Sequence, residues 1–253
     1  MDMTRLTLPD EAEMYRLMAA RDPDAEGVFL VAVRTTGVFC RPTCPSRLPL
    51  PQNVEFHATP WDALVAGFRP CRRCWPVGRP NGTQPLTVTR IDTPLGTMVA
   101  AAVDDGLAVL DFADRRAART ALRNAARRLN AYPTIGRHPH LETLRAQLDE
   151  YFAGSRTTFD LPLAPRGTAF EESVWSWLRT IPSGQTRTYA EGATAVGRPQ
   201  AVRAIGRANG ANPLAIVVPC HRVIASDGDL TGYGGGVWRK RALLELESAT
   251  AVG

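Results

Sequence analysis

The spacing of the cysteines constrains this chain more than any other feature of its sequence. Four of the five fall into two tight pairs, Cys40 with Cys44 and Cys71 with Cys74, and 26 residues lie between the pairs. A tight pair brings two sulfurs to one side of a loop, and two such loops complete a tetrahedral set of thiolates, which zinc prefers. The sequence therefore predicts one structural zinc site with these four ligands and gives no sign of an organic cofactor.

Two roles for this zinc site are compatible with the spacing. In the first, the metal only shapes a DNA-binding surface. In the second, one ligand also reacts, because a zinc-bound cysteine is already a thiolate at neutral pH. Alkylation of one sulfur would make the cluster less negative and weaken its repulsion from DNA phosphates. A zinc-bound cysteine could thus act as nucleophile and switch, and spacing alone does not choose between these roles.

The chain totals limit the class of protein. A length of 253 residues allows one to three domains. The sequence has no apolar run of about 18 residues, so no membrane helix is expected. Its acidic N-terminus lacks the apolar core of a signal peptide, which makes the cytoplasm the expected compartment. A reduced cytoplasmic protein does not use cysteines as disulfides, and the odd count of five agrees with that expectation.

Positive charge is concentrated in two zones. Residues 34–79 hold seven arginines against Glu55 and Asp62, and residues 186–241 hold eight basic residues against three acidic ones. Two basic zones favour binding of a polyanion such as DNA. The same arginines could instead form an ordinary solvated surface, in a chain whose composition is biased toward arginine. Charge alone leaves both explanations open.

The chain divides into three predicted domains, 1–79, 80–165 and 166–253, with a proline- and glycine-rich linker at 76–85. Residues 59–68 predict a helix between the cysteine pairs, with Thr59 as its cap and Pro60 in its first turn. In the second domain, "LTVTRI", "TMVAAAV" and "LAVLDF" predict strands, the last two joined by a hairpin at "DDG". Residues 115–131 and 141–154 have the apolar spacing of helices.

The third domain is predicted to be mostly helical. Thr168 and Glu171 form a capping box at the start of one helix. Two short helices follow at 188–197 and 199–210, arranged as in a helix-turn-helix, with Pro199 in the first turn of the second helix and Gly210 just past its end. An apolar strand, "LAIVV", is expected to lead into Cys220, and residues 237–247 predict a closing helix.

Cys220 and His221 are a second candidate site. A lone buried cysteine is often an inert core residue. Chemistry would need a thiolate, and therefore a base or a positive field beside the sulfur. His221 can supply the base if a carboxylate orients it, and Glu247 in the last helix is the carboxylate that we expect to do so.

The stretches "DPDAEGVFLVAVRTTGVFCRPTC" and "AGFRPCRRC" resemble the zinc domain of the Ada family of bacterial adaptive-response proteins, over roughly residues 10–78. The resemblance implies that Cys40 binds zinc and also accepts a methyl group from a methylphosphotriester in the DNA backbone. Cys44, Cys71 and Cys74 would only bind metal. The side chains that the resemblance implies near the phosphates are Arg34, Thr36, Arg47, Arg72 and Arg73.

The stretches "FEESVWSWLRTIPSGQTRTYAE", "GRPQAVRAIGRANGANPLAIVVPCHRVI" and "GDLTGYGGGVWRKRALLELE" resemble the O6-alkylguanine-DNA alkyltransferase family, over about residues 86–248. The resemblance implies that Cys220 takes the alkyl group from O6 of a guanine flipped out of the duplex. His221 would act as base through a water, Glu247 would orient it, and Tyr189 would donate toward the departing guanine. Both transfers form thioethers, so each cysteine would react once.

The same resemblance implies further contacts with DNA. Arg203 would fill the gap left by the flipped base, from a helix that enters the minor groove. Asn212 would tie that helix to the Cys220 segment, and Tyr233 would line the base pocket. Arg222 would also contact the substrate or DNA. Several relatives place a serine after this tyrosine, where its hydroxyl faces O6. This chain has Gly234 there, which puts the substrate range in question.

The predicted fold class is therefore α+β and multidomain: a four-cysteine zinc domain, an α/β ribonuclease H-like subdomain and a winged-helix-like, mostly helical alkyltransferase subdomain. The predicted function is direct-reversal repair of alkylated double-stranded DNA by a monomeric, single-turnover methylated-DNA–protein-cysteine methyltransferase that associates with the nucleoid. Two rival functions are a transcriptional regulator switched by methylation and a damage-binding protein without transfer. Retention of Cys220 argues against the second rival. The short linker leaves no room for the AraC-type helices that full-length Ada relatives carry between the two parts.

Overall fold

A computed structural model describes residues 8–80, 83–230 and 232–250 of the chain. Residues 1–7 of the acidic N-terminus and residues 81 and 82 of the predicted linker lie outside this described part. The predicted mixed α and β architecture is confirmed.

The cysteine-rich part is built on a small four-stranded sheet. Its order is β3-β1-β2-β4, with strands β1 (Leu30–Val33), β2 (Val38–Cys40), β3 (Val54–His57) and β4 (Arg69–Pro70), flanked by helices α1 (Glu11–Ala20) and α2 (Pro60–Val65). The predicted start of α2 is confirmed, because the Thr59 side chain accepts a hydrogen bond from the Asp62 amide and Pro60 is the first helical residue. Cys40 is the last residue of β2 and pairs with Val31.

The middle part contains a second four-stranded sheet in the order β7-β6-β5-β8. Its elements are β5 (Gln84–Ile91), β6 (Met98–Val103), β7 (Gly106–Phe112), α3 (Arg116–Arg128), β8 (Ala131–Ile135) and α4 (Pro139–Phe152). The predicted strands, hairpin and helices are confirmed. Gly106 begins β7 with φ 143°, and a Cβ there would lie 2.5 Å from the carbonyl oxygen of Pro162, so only glycine fits.

The last part is mostly helical, as predicted. It contains α5 (Ala169–Leu178), β9 (Arg187–Thr188), α6 (Tyr189–Ala195), α7 (Val202–Gly210), β10 (Val223–Ile224) and α8 (Val237–Thr250). The capping box of Thr168 and Glu171 is confirmed at the start of α5. The predicted limits of α7 were wrong, because Pro199 lies in the turn before the helix and Gly210 is its last residue.

The sheet of the middle part separates two apolar cores. One face packs with α4, α5 and residues around Cys220. The other face packs with α3 and, through Val65 and Trp61, with α2 of the cysteine-rich part. None of the helices in the described part of the chain has both the length and the apolar character that a membrane crossing requires.

Candidate functional site

The segment before Cys220 is a buried turn, so the predicted strand at 214–218 was wrong. Leu214 makes only a single bridge to Leu110, and Ile216 has φ 71°, a left-handed conformation that is unusual for a β-branched residue. The Asn212 side chain forces this turn. Its Nδ2 donates to the carbonyl of Val218 at 2.8 Å, and its Oδ1 accepts from the amide of Leu214 at 3.0 Å.

Asn212 therefore holds backbone and does not face outward. Its side chain is buried, and the hydrogen bonds above tie the end of α7 to the segment that leads to Cys220. The family resemblance had placed Asn212 among the residues that contact substrate or DNA, and its buried position corrects that placement. The tie between α7 and the Cys220 segment is present.

Cys220 opens a single 3-10 turn that also contains His221 and Arg222. The Nδ2 of Asn209 donates to the Cys220 carbonyl at 3.3 Å, which fixes the turn to α7 from a second point. Cys220 is 7% exposed. Burial raises the pKa of its thiol, so a base or a positive field is needed to form the thiolate.

His221 contacts the carboxylate that we expected. Its Nε2 lies 2.8 Å from Oε1 of Glu247, and both side chains are buried. The Nδ1 of His221 is buried and has no hydrogen-bond partner within the described residues. Burial lowers the pKa of His221 although Glu247 opposes that change, so the ring is neutral at neutral pH and one nitrogen can accept a proton.

Glu247 gathers two further side chains that the sequence did not lead us to place there. The hydroxyl of Tyr151, in α4, donates to Oε1 at 2.8 Å, and Arg222 donates to both carboxylate oxygens at 2.9 Å. Burial alone would raise the pKa of Glu247, but the hydrogen bonds from His221 and Arg222 outweigh it and hold this pKa well below its usual range. No spacing signal links Tyr151 to this site.

Arg222 was predicted as a substrate or DNA contact, and the structure contradicts that prediction. Its guanidinium is buried, pairs with Glu247 and also donates to the carbonyl of Ile181 at 2.5 Å. A buried cation is stable only when paired, and these contacts satisfy it inside the protein. Arg222 therefore helps to fix the carboxylate that meets His221.

Two tyrosines stand near the thiol. A Cβ on Gly232 would lie 3.4 Å from the Tyr189 hydroxyl, which places Tyr189, the first residue of α6, against the loop at 232–236. The Tyr233 hydroxyl is buried and unpartnered within the described part of the chain. Tyr233 belongs to the apolar cluster that contains Cys220, and Tyr189 packs against that cluster. Burial raises the pKa of both tyrosines, and the charge of a Cys220 thiolate raises it further.

Gly234 lies in the same loop, beside two residues that sequence reasoning missed. A Cβ at Gly234 would stand where Nη2 of Arg115 lies, and Arg115 is held by the buried Asp111 at 2.5 Å. Arg115 is 119 positions away in the chain from Gly234, so neither motif nor spacing could connect the two.

Arg203 and Arg207 are both exposed on α7, the second helix of the pair α6 and α7. The exposed Val202 begins α7, and the basic side chains project from this helix and not toward Cys220. The surface of α7 therefore suits the phosphates or the groove of a nucleic acid. That α6 and α7 act as a helix-turn-helix stays a prediction.

The sulfurs of Cys40, Cys44, Cys71 and Cys74 all lie within 4.8 Å of one another. Three of the cysteines are buried and Cys74 is partly exposed. The backbone amides of Arg41 and Arg73 donate to Sγ of Cys74 at 3.4 Å and of Cys71 at 3.3 Å, which is typical of thiolate ligands.

The donor set fits zinc. The hydrogen bond to Cys74 and then burial raise the pKa of Cys40, whereas the hydrogen bond from Cys40 lowers the pKa of Cys74 to about 5. Four thiolates so close together need a bound cation, and four sulfur donors are the ligands of a closed zinc site. The cluster therefore holds one zinc ion with these four cysteines.

A cavity of about 240 Å³ opens beside two of the four ligands, Cys40 and Cys44. Of the predicted phosphate contacts, only Arg47 lines it, together with Arg21 and Arg41. The other predicted contacts are exposed and do not line this cavity, although Arg73 donates to the carbonyl of Pro45 beside Cys44 at 3.2 Å. Arg34 and Thr36 are in the β1–β2 turn at the far end of β2 from Cys40, and Arg72 and Arg73 are in the loop between the second pair of ligands.

Three family models match successive parts of the chain. The metal binding domain of Ada matches residues 13–77, the ribonuclease-like domain of 6-O-methylguanine DNA methyltransferase matches 86–165, and the DNA binding domain of the same enzyme matches 169–249. The bifunctional transcriptional activator/DNA repair enzyme Ada of Escherichia coli (strain K12) is 31% identical over a 350-residue alignment that covers 97% of this chain and 99% of that protein.

The chain belongs to the Ada family.

The Ada-family chain is also similar to proteins that match about two thirds of it. A methylated-DNA–protein-cysteine methyltransferase of Methanosarcina barkeri is 45% identical over 157 residues, which cover 62% of this chain and 94% of that protein. The crystal structure of Mycobacterium tuberculosis OGT in complex with DNA is 43% identical and covers 65% of this chain and 94% of that one, with a TM-score of 0.57.

Proposed function

We propose that this Ada-family protein is a direct-reversal DNA repair enzyme that transfers alkyl groups from damaged double-stranded DNA to its own cysteines. The acceptor for O6-alkylguanine is Cys220. The observation that carries this proposal is the buried Cys220-His221 turn, in which His221 meets Glu247 at 2.8 Å and keeps a second ring nitrogen unpartnered among the described residues.

The transfer at Cys220 proceeds as a single displacement. The unpartnered Nδ1 of His221 accepts the thiol proton through a water, and Glu247, already negative, stabilises the resulting imidazolium. The sulfur attacks the alkyl carbon, the S–C bond forms and the C–O6 bond breaks. The electron pair stays on the guanine, which takes a proton, and Tyr189 is the donor that we propose. The thioether is stable, so the protein acts once.

The proposed route of the damaged base follows from the surface. The basic helix α7 enters the minor groove, and Arg203 fills the space of a guanine that has left the stack. Tyr233 then lines the pocket beside Cys220, with its hydroxyl available to the base.

Cys40 is the proposed acceptor for methylphosphotriesters in the DNA backbone. Bound zinc would keep all four cysteines as thiolates at neutral pH. The Cys40 sulfur attacks the methyl carbon, the S–C bond forms, the C–O bond breaks, and the electron pair leaves a negative phosphodiester. The cavity at Cys40 and Cys44, lined by Arg21, Arg41 and Arg47, supports this role because these arginines can bind the charged phosphates that flank the neutral triester and can donate to the phosphodiester oxygen that the transfer makes negative.

A second candidate function is transcriptional regulation, since the E. coli relative is named an activator as well as a repair enzyme. That alignment spans 350 residues whereas this chain has 253, so the relative contains a segment with no counterpart here. We propose that the missing segment is the AraC-type region and that repair is the main function. Sequence-specific DNA binding that appears only after methylation of Cys40 would instead favour regulation.

We further propose domain limits at 1–79, 80–165 and 166–253, and a monomer that works in the cytoplasm and associates with the nucleoid through DNA. The proposed phosphate contacts of the zinc domain are Arg34, Thr36, Arg47, Arg72 and Arg73, with Arg47 the best supported because it lines the cavity at Cys40.

Peptide mapping after reaction with labelled DNA tests the proposed acceptors. One duplex carries O6-[methyl-³H]guanine and a second carries a labelled methylphosphotriester. We expect the first label on the Cys220 peptide and the second on the Cys40 peptide. Cys220→Ala should abolish only the first transfer and Cys40→Ser only the second. Label from O6-methylguanine that still reaches the Cys220→Ala protein would refute the assignment of Cys220.

A further inference from the structure

Arg115 is a cation beside the Cys220 pocket that the proposed chemistry has not yet used. It is the residue immediately before α3, and its Nη1 donates to Oδ1 of Asp111 at 2.5 Å. Asp111 is 2% exposed and lies in β7, an edge strand of the middle sheet. A buried carboxylate thus fixes a guanidinium at one position and leaves its other N–H donors available.

The free end of this guanidinium lies against the loop that carries Tyr233. A Cβ on Gly234 would clash with Nη2 of Arg115, so a larger residue fits at 234 only if the end of the Arg115 side chain moves away. The absence of a side chain at Gly234 and the presence of Arg115 are therefore one feature. The place where several relatives present a serine hydroxyl is filled here from a different part of the chain.

The ion pair also acts on the groups of the pocket. Burial raises the pKa of the Cys220 thiol, the negative charge of Asp111 raises it further, and the positive charge of Arg115 lowers it. Burial also raises the pKa of Tyr233. The negative charge of Asp111 raises it further, and the positive charge of Arg115 lowers it. Arg115 also lies against Gly234, the residue after Tyr233, so its free donors can meet a substrate held between this loop and Cys220.

A donor at this position has a clear chemical use in the proposed reaction. When the C–O6 bond breaks, the electron pair moves onto the guanine and negative charge develops at O6. A preorganised donor in a site closed to water lowers the barrier to such a step. Arginine keeps its own proton, so it stabilises the departing oxygen by hydrogen bonding and does not act as an acid.

We propose that Arg115, anchored by Asp111 and accommodated by Gly234, donates a hydrogen bond to O6 of the departing guanine and is a substrate-contacting residue of the alkyltransferase site. This inference rests on the proposed function. The proton of the Cys220 thiol still goes to His221, the S–C bond replaces the C–O6 bond, and the guanine takes its proton from Tyr189, the donor proposed above.

The first test measures single-turnover transfer of the methyl group from O6-methylguanine in duplex DNA to the full, zinc-loaded protein. Arg115→Met keeps the length of the side chain and removes its donors, and we expect a rate roughly ten- to a hundred-fold lower. Arg116→Met is the matched control, because Arg116 is exposed in the first turn of α3 and the same charge is lost. Its rate should stay within about two-fold of the original. An unchanged rate in Arg115→Met overturns the inference.

The second test separates stabilisation of the departing atom from a structural clamp on the 232–236 loop. S6-methyl-6-thioguanine has a sulfur in place of O6, and sulfur is a weaker hydrogen-bond acceptor. Arg115→Met should therefore slow transfer from the sulfur compound several-fold less than from O6-methylguanine. Equal slowing of both substrates would mean that Arg115 only holds the loop.

The third test uses the space at Gly234. In Arg115→Ala with Gly234→Ser, the serine has room and its hydroxyl can meet O6. We expect this double variant to transfer faster than Arg115→Ala alone, and an equal or lower rate contradicts the inference. Thermal unfolding and affinity for undamaged DNA identify any variant that fails to fold. If the unaltered protein itself does not methylate Cys220, the proposed function fails. If the unaltered protein methylates Cys220 and Arg115→Met does so at the same rate, only this inference fails.

Discussion

The Glu247 carboxylate holds three side chains of the Cys220 site together, those of Tyr151, His221 and Arg222. Removing one partner of a buried charge cluster leaves the other charges uncompensated, which costs more than the cluster contributes when intact. This single residue therefore sets both the orientation of His221 and the stability of the surrounding core.

Glu247→Gln is expected to lower the free energy of unfolding at pH 7 by about 3–5 kcal/mol, because Arg222 loses its buried counter-charge. The pKa of Glu247 is held below its ordinary value of 4.5, although burial opposes this. Its stabilisation is thus complete above 4.5 and is lost as the pH falls toward the lower folded pKa. Urea unfolding at several pH values should show this acid loss in the original protein and not in the variant.

Glu13→Gln serves as the control for charge removal, because the ion pair of Glu13 with Arg16 is exposed on α1. It should leave the unfolding midpoint unchanged. Equal stability of Glu247→Gln and the original protein at pH 7 would show that the buried cluster contributes nothing net.

At the scale of elements, the turn at 214–218 decides where Cys220 points. The turn depends on Asn212, whose amide meets backbone groups of Leu214 and Val218, and on the left-handed Ile216. Without the amide, two buried backbone groups would lose their partners and the strained turn would relax toward an extended chain.

Asn212→Ala is expected to destabilise the protein by about 1–3 kcal/mol and to reduce transfer to Cys220 more than it reduces DNA binding. Thermal unfolding, single-turnover transfer and DNA affinity measure the three effects. Asn53→Ala, in the cysteine-rich part just before β3, should change none of them. Full transfer activity in Asn212→Ala would mean that the turn forms without its side-chain ties.

The elements show what the sequence could and could not predict. Local signals placed the caps of α2 and α5 correctly, because Thr59 and Thr168 bond to amides only three residues away. The cysteine spacing likewise predicted the four-sulfur cluster. The turn at Ile216 was missed because five consecutive apolar residues look like a strand, and a side-chain tie from Asn212 overrode that pattern.

Contacts between distant residues were the hardest to predict. The meeting of His221 with Glu247 followed from chemistry and from family resemblance, whereas Tyr151 and Arg115 came to the site through the packing of α4 and β7 against the last part of the chain. Nothing in their local sequence marks these two residues, so only the fold could reveal them.

At the scale of the whole molecule, the cysteine-rich part and the middle part share an interface. Helix α2 lies on α3, where Asp62 pairs with Arg119 and where Val65 and Trp61 enter the apolar core of the middle part. Arg90 of β5 donates to the carbonyl of Val65 at 3.2 Å and to that of Ala66 at 3.1 Å.

This interface also lies next to the alkyltransferase pocket. The second arm of the Arg119 guanidinium donates to the Arg115 carbonyl at 3.1 Å, and Arg115 contacts the loop at Gly234. The zinc domain therefore supports the start of α3, and the start of α3 supports the pocket of Cys220.

Arg119→Met is expected to loosen α2 from α3 and to weaken the interface by about 1 kcal/mol, because the pair with Asp62 is only partly buried. Hydrogen exchange should become faster in α2 and at the start of α3 while the strands of the middle sheet keep their protection. Arg127→Met removes the same charge two turns further along α3, where the residue is exposed, and should leave exchange in α2 unchanged. If α2 exchanges at the same rate in both variants, the apolar contacts of Trp61 and Val65 hold the two parts together without the ion pair.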